Sequence, residues 1–287
     1  MCDRDNAGFI VDTSVTRRSV VLGLSSVAAA CGLPSAAQAA TVTETDVMVK
    51  TADGSADAVL FHPSGRGRWP AVLLWPDILG LRPVFREMGR RLAAQGYVVL
   101  VPNPFYRTRR APIVTGPFDF GDKPAVAKLF ALKDTLTDAR IDADTNAFLS
   151  FLDQQKQVNR RKGAGVQGYC FSGPFAFRAA ALRPDRIRAA ASFHGGGLVT
   201  KQPNSPHLLI PKAKAAFLVA IAQNDDKAQP DAKTILKSAF AAAKRPATVA
   251  VYPADHGWCV AGSQAYNEPA AERAWLNLGK LYRANLG

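Results

Sequence analysis

The stretch Gly168-Tyr169-Cys170-Phe171-Ser172-Gly173 sets a cysteine in a frame of small residues. A chain that reverses sharply from a strand into a helix needs small neighbours, because helix and strand then pack closely while the central side chain stays presented. Cys170 stands where a G-x-S-x-G turn carries its nucleophilic serine, and Ser172 replaces the second glycine. A thiol there faces a helix N-terminus, whose partial positive charge favours the reactive thiolate. The competing reading is a buried cysteine serving as a small hydrophobe in a tight turn.

A nucleophile needs a base, and the base needs a group to orient it. His256 lies in Tyr252-Pro-Ala-Asp-His-Gly-Trp, directly after the last expected strand. Asn224-Asp225-Asp226 follows an earlier strand, so either aspartate could face the histidine. Asp225 is preferred because it is nearer the strand end, with the other serving as a helix cap. His194 ends a strand and precedes three glycines, so it could line a cleft, but it comes before any suitable acid. His62 and His207 read as surface residues. The oxyanion formed on attack needs donors. The candidates are the backbone N–H groups of Phe171 and of Ile78, the latter in the loop Pro76-Asp-Ile-Leu-Gly80.

The elements that must position these groups follow from hydrophobic pattern. Thr41 to Val49 and Ala58 to His62 alternate around Asp53-Gly54, which predicts a hairpin. Apolar runs at Trp69–Trp75 and Tyr97–Val101 flank a helical pattern over Val84–Gln95 that stops at Gly96, which predicts a parallel crossover unit. Lys123–Gln157 reads as one or two helices, broken near Ile141-Asp142. Strands are expected at Gly165–Tyr169, Ala189–Phe193, Ala215–Ala222 and Ala247–Tyr252. Helices are expected at Phe175–Leu182, Pro230–Ala243 and Pro269–Leu286. Continuous apolar strands alternating with helices predict one α/β domain, a mostly parallel sheet with helices on both faces and an antiparallel edge hairpin at its N-terminal side. In such a sheet, sites form at the carboxyl ends of the strands.

Residues 1–39 are expected to stay outside that fold. Thr16-Arg17-Arg18-Ser19 precedes an apolar run, Val20–Ala30, and small residues end at Ala37-Gln-Ala39. This is the pattern of a twin-arginine export signal cleaved after Ala39, leaving residues 40–287 as a periplasmic or secreted domain. The apolar run is too short to span a bilayer, so no stable membrane insertion is expected after cleavage. The chain carries a formal charge of +13. Its basic residues are dispersed and no nucleic-acid-binding motif is present, so an anionic small substrate fits the charge as well as a polyanion does. Of four cysteines, Cys170 and Cys259 remain after cleavage. In an oxidising compartment two cysteines suggest one disulfide.

Taken in order, W-P-D-I-L-G-L-R-P (75–83), G-Y-V-V-L-V-P-N-P-F-Y-R (96–107), G-Y-C-F-S-G (168–173), S-F-H-G-G-G-L (192–198) and D-H-G-W (255–258) resemble the dienelactone hydrolase family of α/β-hydrolases. The resemblance runs from about Val47 to Leu281. It implies an α/β-hydrolase fold, a Cys170–Asp225–His256 triad, no cofactor and no metal. It also implies hydrolysis of an enol-lactone or related ester through a thioester on the enzyme, the reaction of a carboxymethylenebutenolidase. It places Asp77 where family members carry an acidic residue that holds the resting thiol. Family members bind a substrate carboxylate with arginines, one of them shortly after the triad histidine; Gly257-Trp-Cys-Val260 has none. Arg82, Arg107 and Lys123 are the substitute cations the sequence offers. A small ester or lactone is thus the expected partner of a monomer or small homo-oligomer. A second reading joins Cys170 and Cys259 in a disulfide, which makes the protein a binding module or a redox-gated hydrolase.

Overall fold

The computed structural model describes residues 10–14 and 41–287. Its main sheet has eight strands in the order β10-β9-β8-β7-β4-β5-β3-β2. These are β2 (Val42–Thr51), β3 (Gly54–Pro63), β4 (Ala71–Trp75), β5 (Val98–Pro102), β7 (Ala164–Tyr169), β8 (Ile187–Phe193), β9 (Ala216–Ala222) and β10 (Ala247–Tyr252). From β10 to β5 every pairing is parallel, and β3 and β2 add the antiparallel edge hairpin. The central strands β4, β5 and β7 are buried at every residue. Strands covered on both faces need apolar runs rather than alternation; β4 and β5 have them, and in β7 the buried Gln167 is paired with the Tyr169 and Tyr282 hydroxyls.

Helices cover both faces. α1 (Pro83–Ala93) and α7 (Glu268–Leu286) pack on one, where Phe85, Leu92, Trp275, Leu278 and Tyr282 join Val72 and Leu74 in a single core. α3 (Asp138–Gln154), α4 (Gly173–Leu182) and α6 (Ala232–Ala242) pack on the other, where Phe148, Phe177 and Phe240 meet Leu73 and Val166. α2 (Lys123–Asp134) adds Leu129 to that second core. A short helix α5 (Gln223–Ala228) follows β9 directly. Among the described residues no helix is long and apolar enough to cross a membrane.

Two expectations need correcting. The break between α2 and α3 falls at residues 135–137, ahead of Ile141-Asp142. Thr137 caps α3 by accepting from Arg140 N–H, and a capped start outweighs a weak apolar pattern. The second concerns residues 10–12, expected to lie outside the fold, which pack against it. β1 (Ile10–Asp12) pairs antiparallel with β6 (Pro117–Asp119), bridges to Ser263 and buries Val11 in the main core. The edge of a short strand satisfied these backbone groups, something local pattern does not encode. The twin-arginine motif and the cleavage site lie outside the described residues.

The turn after β7 depends on one glycine. A Cβ on Gly168 would sit 2.0 Å from the Ser172 carbonyl oxygen, inside any permissible contact. Gly168→Ala is therefore expected to lower stability by about 1–3 kcal/mol, the usual cost of overpacking. The midpoint of denaturant unfolding measures it, and an unchanged midpoint would mean that the turn is not this tight.

Candidate active site

β7 ends at Tyr169, and Cys170–Ser172 form one turn of 3-10 helix before α4 begins at Gly173. Cys170 has φ 58°, a left-handed conformation that side-chain-bearing residues rarely hold. Such strain persists only where the surroundings over-determine it, and it clusters at functional sites. Ser172 supplies part of that constraint. Its hydroxyl accepts from Tyr169 N–H at 2.9 Å and lies 3.1 Å from the Trp75 carbonyl, tying the turn to β4. Phe171 stacks on Phe105 and meets Phe175 edge-on, so aromatic surface walls the thiol.

His256 follows β10. Its Nδ1 lies 2.8 Å from Asp225 Oδ2. Its backbone N–H donates to Asn224 Oδ1 at 2.8 Å, and the same oxygen accepts from Asp225 N–H at 3.0 Å. Asn224 thus pins the acid and the histidine in one register. Asp226 turns the other way, to Lys233 Nζ at 2.7 and 2.9 Å. Of the two aspartates, Asp225 is the one paired with the imidazole. Cys170 Sγ, a ring nitrogen of His256 and a ring nitrogen of His194 lie within 4.8 Å of one another.

His194 is the residue that sequence reasoning set aside. It precedes the acid along the chain, but chain order does not limit what meets in space. Its signal was its place: the carboxyl end of β8, next to the β7 strand that carries the cysteine, and before three glycines. It is 1% exposed, with its ring 4.6 Å from that of His256 in a T-shaped contact. Burial first, and the neighbouring His256 second, push its pKa well below the usual histidine value, so the ring is neutral. Neither of its ring nitrogens has a hydrogen-bond partner among the described residues.

The oxyanion candidates sit on two segments. Asp77 Oδ1 accepts from Leu79 N–H at 3.0 Å, and the Asp77 carbonyl accepts from Gly80 N–H at 2.8 Å. Together these bonds fold the loop after β4 around Ile78. Phe171 N–H lies in the first turn of its helical segment, where N–H groups lack an intrahelical acceptor.

Asp77 and the candidate cations have partners of their own. The Arg82 guanidinium grips both Asp77 oxygens, at 2.5 and 2.8 Å, with its side chain 1% exposed. Asp77 is therefore the anchor of a buried bidentate pair, and the guanidinium that the sequence offered as a substrate-binding cation is held within it. Arg107 is held bidentately by Asp144 at 2.7 and 2.8 Å and by Asp53 at 2.6 Å. Both guanidinium groups are thus occupied by the protein's own carboxylates instead of facing a ligand. Lys123 is exposed at the first turn of α2. No disulfide joins Cys170 and Cys259 in this structure. They belong to different cores, on opposite faces of the sheet. Burial, and then the Asp77 carboxylate, push the Cys259 thiol well above its ordinary pKa.

A cavity of about 650 Å³ opens beside the acid. Gly195–Gly197, Leu198, Ile221 and Leu236 line it together with Asp225, and no lysine or arginine is among the described residues that line it.

Comparison with known proteins adds to this geometry. Residues 56–285 match the model of the dienelactone hydrolase family. A carboxymethylenebutenolidase of Rhodococcus opacus is 29% identical over 232 residues, covering 79% of this chain and 86% of that protein. The crystal structure of a dienelactone hydrolase-like promiscuous phosphotriesterase from metagenomic libraries superposes with a TM-score of 0.67 at 20% identity, covering 86% of this chain and 99% of that one. An acylaminoacyl peptidase of Pyrococcus horikoshii gives a TM-score of 0.62 at 15% identity, covering 86% of this chain and 42% of that one. At such identities the two structures establish a shared fold.

Proposed function

Because the chain belongs to the dienelactone hydrolase family, we propose that it hydrolyses a small ester or lactone with Cys170 as nucleophile, His256 as base and Asp225 as the group that orients the base. One observation carries this reading. A cysteine strained to φ 58° at the end of β7 lies within 4.8 Å of an imidazole whose other side Asp225 holds at 2.8 Å.

The chemistry follows from those positions. Asp225 accepts from His256 Nδ1–H, which leaves the Nε2 lone pair for the thiol proton. As that proton moves, Cys170 sulfur bonds to the carbonyl carbon and the carbonyl oxygen takes the displaced electron pair. The N–H groups of Ile78 and Phe171 stabilise that oxyanion. Collapse breaks the bond to the leaving alkoxide, which receives the proton from His256, and a thioester remains on Cys170. Water then repeats the sequence with His256 as base, releasing the carboxylic acid and restoring the thiol.

The substrate is a small uncharged ester or lactone. Arg82 and Arg107 are committed to Asp77 and Asp144, and the cavity beside Asp225 is lined by glycines, apolar side chains, Thr200, Gln202, Gln229 and two aspartates, without a cation. A substrate carboxylate would have to break a buried ion pair to gain a partner, a loss of several kcal/mol.

The test is acyl capture. Brief incubation of the reduced protein with p-nitrophenyl acetate, followed by acid quench and peptide mass mapping, is expected to put one acetyl group on the peptide containing Cys170. Turnover of that ester is expected to exceed turnover of a carboxylate-bearing dienelactone. Acetyl on another residue, or none during measurable turnover, would overturn the assignment of the nucleophile.

A further inference from the structure

We infer that Cys170, His194 and His256 form a binding site for a thiophilic divalent cation of the zinc type, and that its occupation silences the thiol. The site uses two groups of the proposed hydrolytic machinery but does not depend on turnover, so it can fail or stand separately.

Four observations carry it. One sulfur and two imidazole nitrogens lie within 4.8 Å of one another, the ligand set of a three-protein-ligand zinc centre. His194 is buried and both its ring nitrogens lack a hydrogen-bond partner among the described residues, although burial makes an unpaired polar atom costly. A buried imidazole left unpaired beside a thiol is what a metal ligand looks like before the metal arrives. Asp225 accepts from His256 Nδ1, so the nitrogen turned away from the carboxylate is Nε2, and carboxylate–histidine–metal arrangements are built this way. Lastly, the three residues that follow His194, Gly195–Gly197, carry no side chains and leave room beside it.

The geometry needs little movement. Tetrahedral bonds of about 2.3 Å to sulfur and about 2.0–2.1 Å to nitrogen put the donor atoms roughly 3.3–3.6 Å apart. The widest gap allowed by the present positions closes by about 1.3 Å through side-chain rotation. On binding, the Cys170 S–H bond breaks, its proton leaves to solvent and a sulfur–metal bond forms. A fourth position stays open to water. The sulfur lone pair that would attack a carbonyl is then in the metal bond.

Co2+ added to the full chain, reduced and freed of reductant, reads the site directly. A thiolate-to-cobalt absorption band is expected to saturate at one equivalent and to be displaced by Zn2+, with one proton released per Zn2+ bound. Cys170→Ser should abolish the band. His194→Phe, which keeps ring volume, should weaken Zn2+ binding by about 10-fold or more, since even outer ligands contribute 10–100-fold. His194→Asn is the second variant should the first unfold, as its melting temperature will show. His62→Gln should leave binding unchanged. No thiolate band at one equivalent of Co2+, or Zn2+ affinity unaltered in both His194 variants, overturns the site.

Discussion

Cys170→Ala is expected to lower kcat/KM for p-nitrophenyl acetate by about 10⁴-fold or more. Deleting a nucleophile costs nearly as much as deleting the whole catalytic set, because the remaining groups then have nothing to activate. The variant should fold, since Cys170 is small and alanine removes only the sulfur. It still carries the left-handed backbone, however. That conformation costs a residue with a Cβ roughly 1–2 kcal/mol. Cys170→Gly should therefore be as inactive as the alanine variant while unfolding at a higher denaturant concentration, by about 1 kcal/mol. This pair of variants separates two readings of the same residue. A buried cysteine in a structural turn would lose stability in both variants and change turnover little. A strained nucleophile loses turnover in both and regains stability in one. Residual turnover within tenfold of the wild type in either variant would sink the role of Cys170.

The strain was partly readable in advance. Gly168, Ser172 and Gly173 announced a turn too tight for larger residues, and the apolar runs at Ala71–Trp75 and Ala216–Ala222 announced strands buried on both faces. These are local signals: a residue's size or hydropathy is set against its immediate neighbours. What escaped was long-range. β1 is three residues long, and it pairs with β6 across more than a hundred positions, so no periodicity marks it. Arg82 and Arg107 looked like free cations because charge is visible in a sequence and its partner is not. Asp77 and Asp144 neutralise them only once the loops are folded. The same limit hid His194, which joins the site because β8 lies beside β7 in the sheet. An overall charge of +13 is compatible with an anionic ligand, while Arg82 and Arg107 are each held by a carboxylate of the chain.

The choice between the two aspartates has a sharp consequence. Asp225→Asn should lower kcat by about 10²–10⁴-fold with little change in KM, and Asp226→Asn should stay within about twofold of the wild type. Asparagine keeps the shape of Asp225 but offers an N–H to His256 Nδ1 in place of a lone pair. The ring then adopts the tautomer with its proton on Nε2, where it can no longer accept the thiol proton. Asp226 faces Lys233 at a partly exposed site, and a pair of that kind contributes only about 0–1 kcal/mol. Asn224 makes the test sharper still. Its side-chain oxygen holds both the Asp225 and His256 backbones, so Asn224→Ala should loosen the same hydrogen bond without changing its chemistry. A loss smaller than that of Asp225→Asn, recovered in part by Asn224→Asp, is expected from its steady-state kinetics. If Asp226→Asn instead falls as far as Asp225→Asn, the acid that serves the histidine during turnover is not the one that pairs with it at rest, and α5 must rearrange when substrate binds. Equal and small losses in both variants would mean that the imidazole is held by packing against His194 and not by a carboxylate at all.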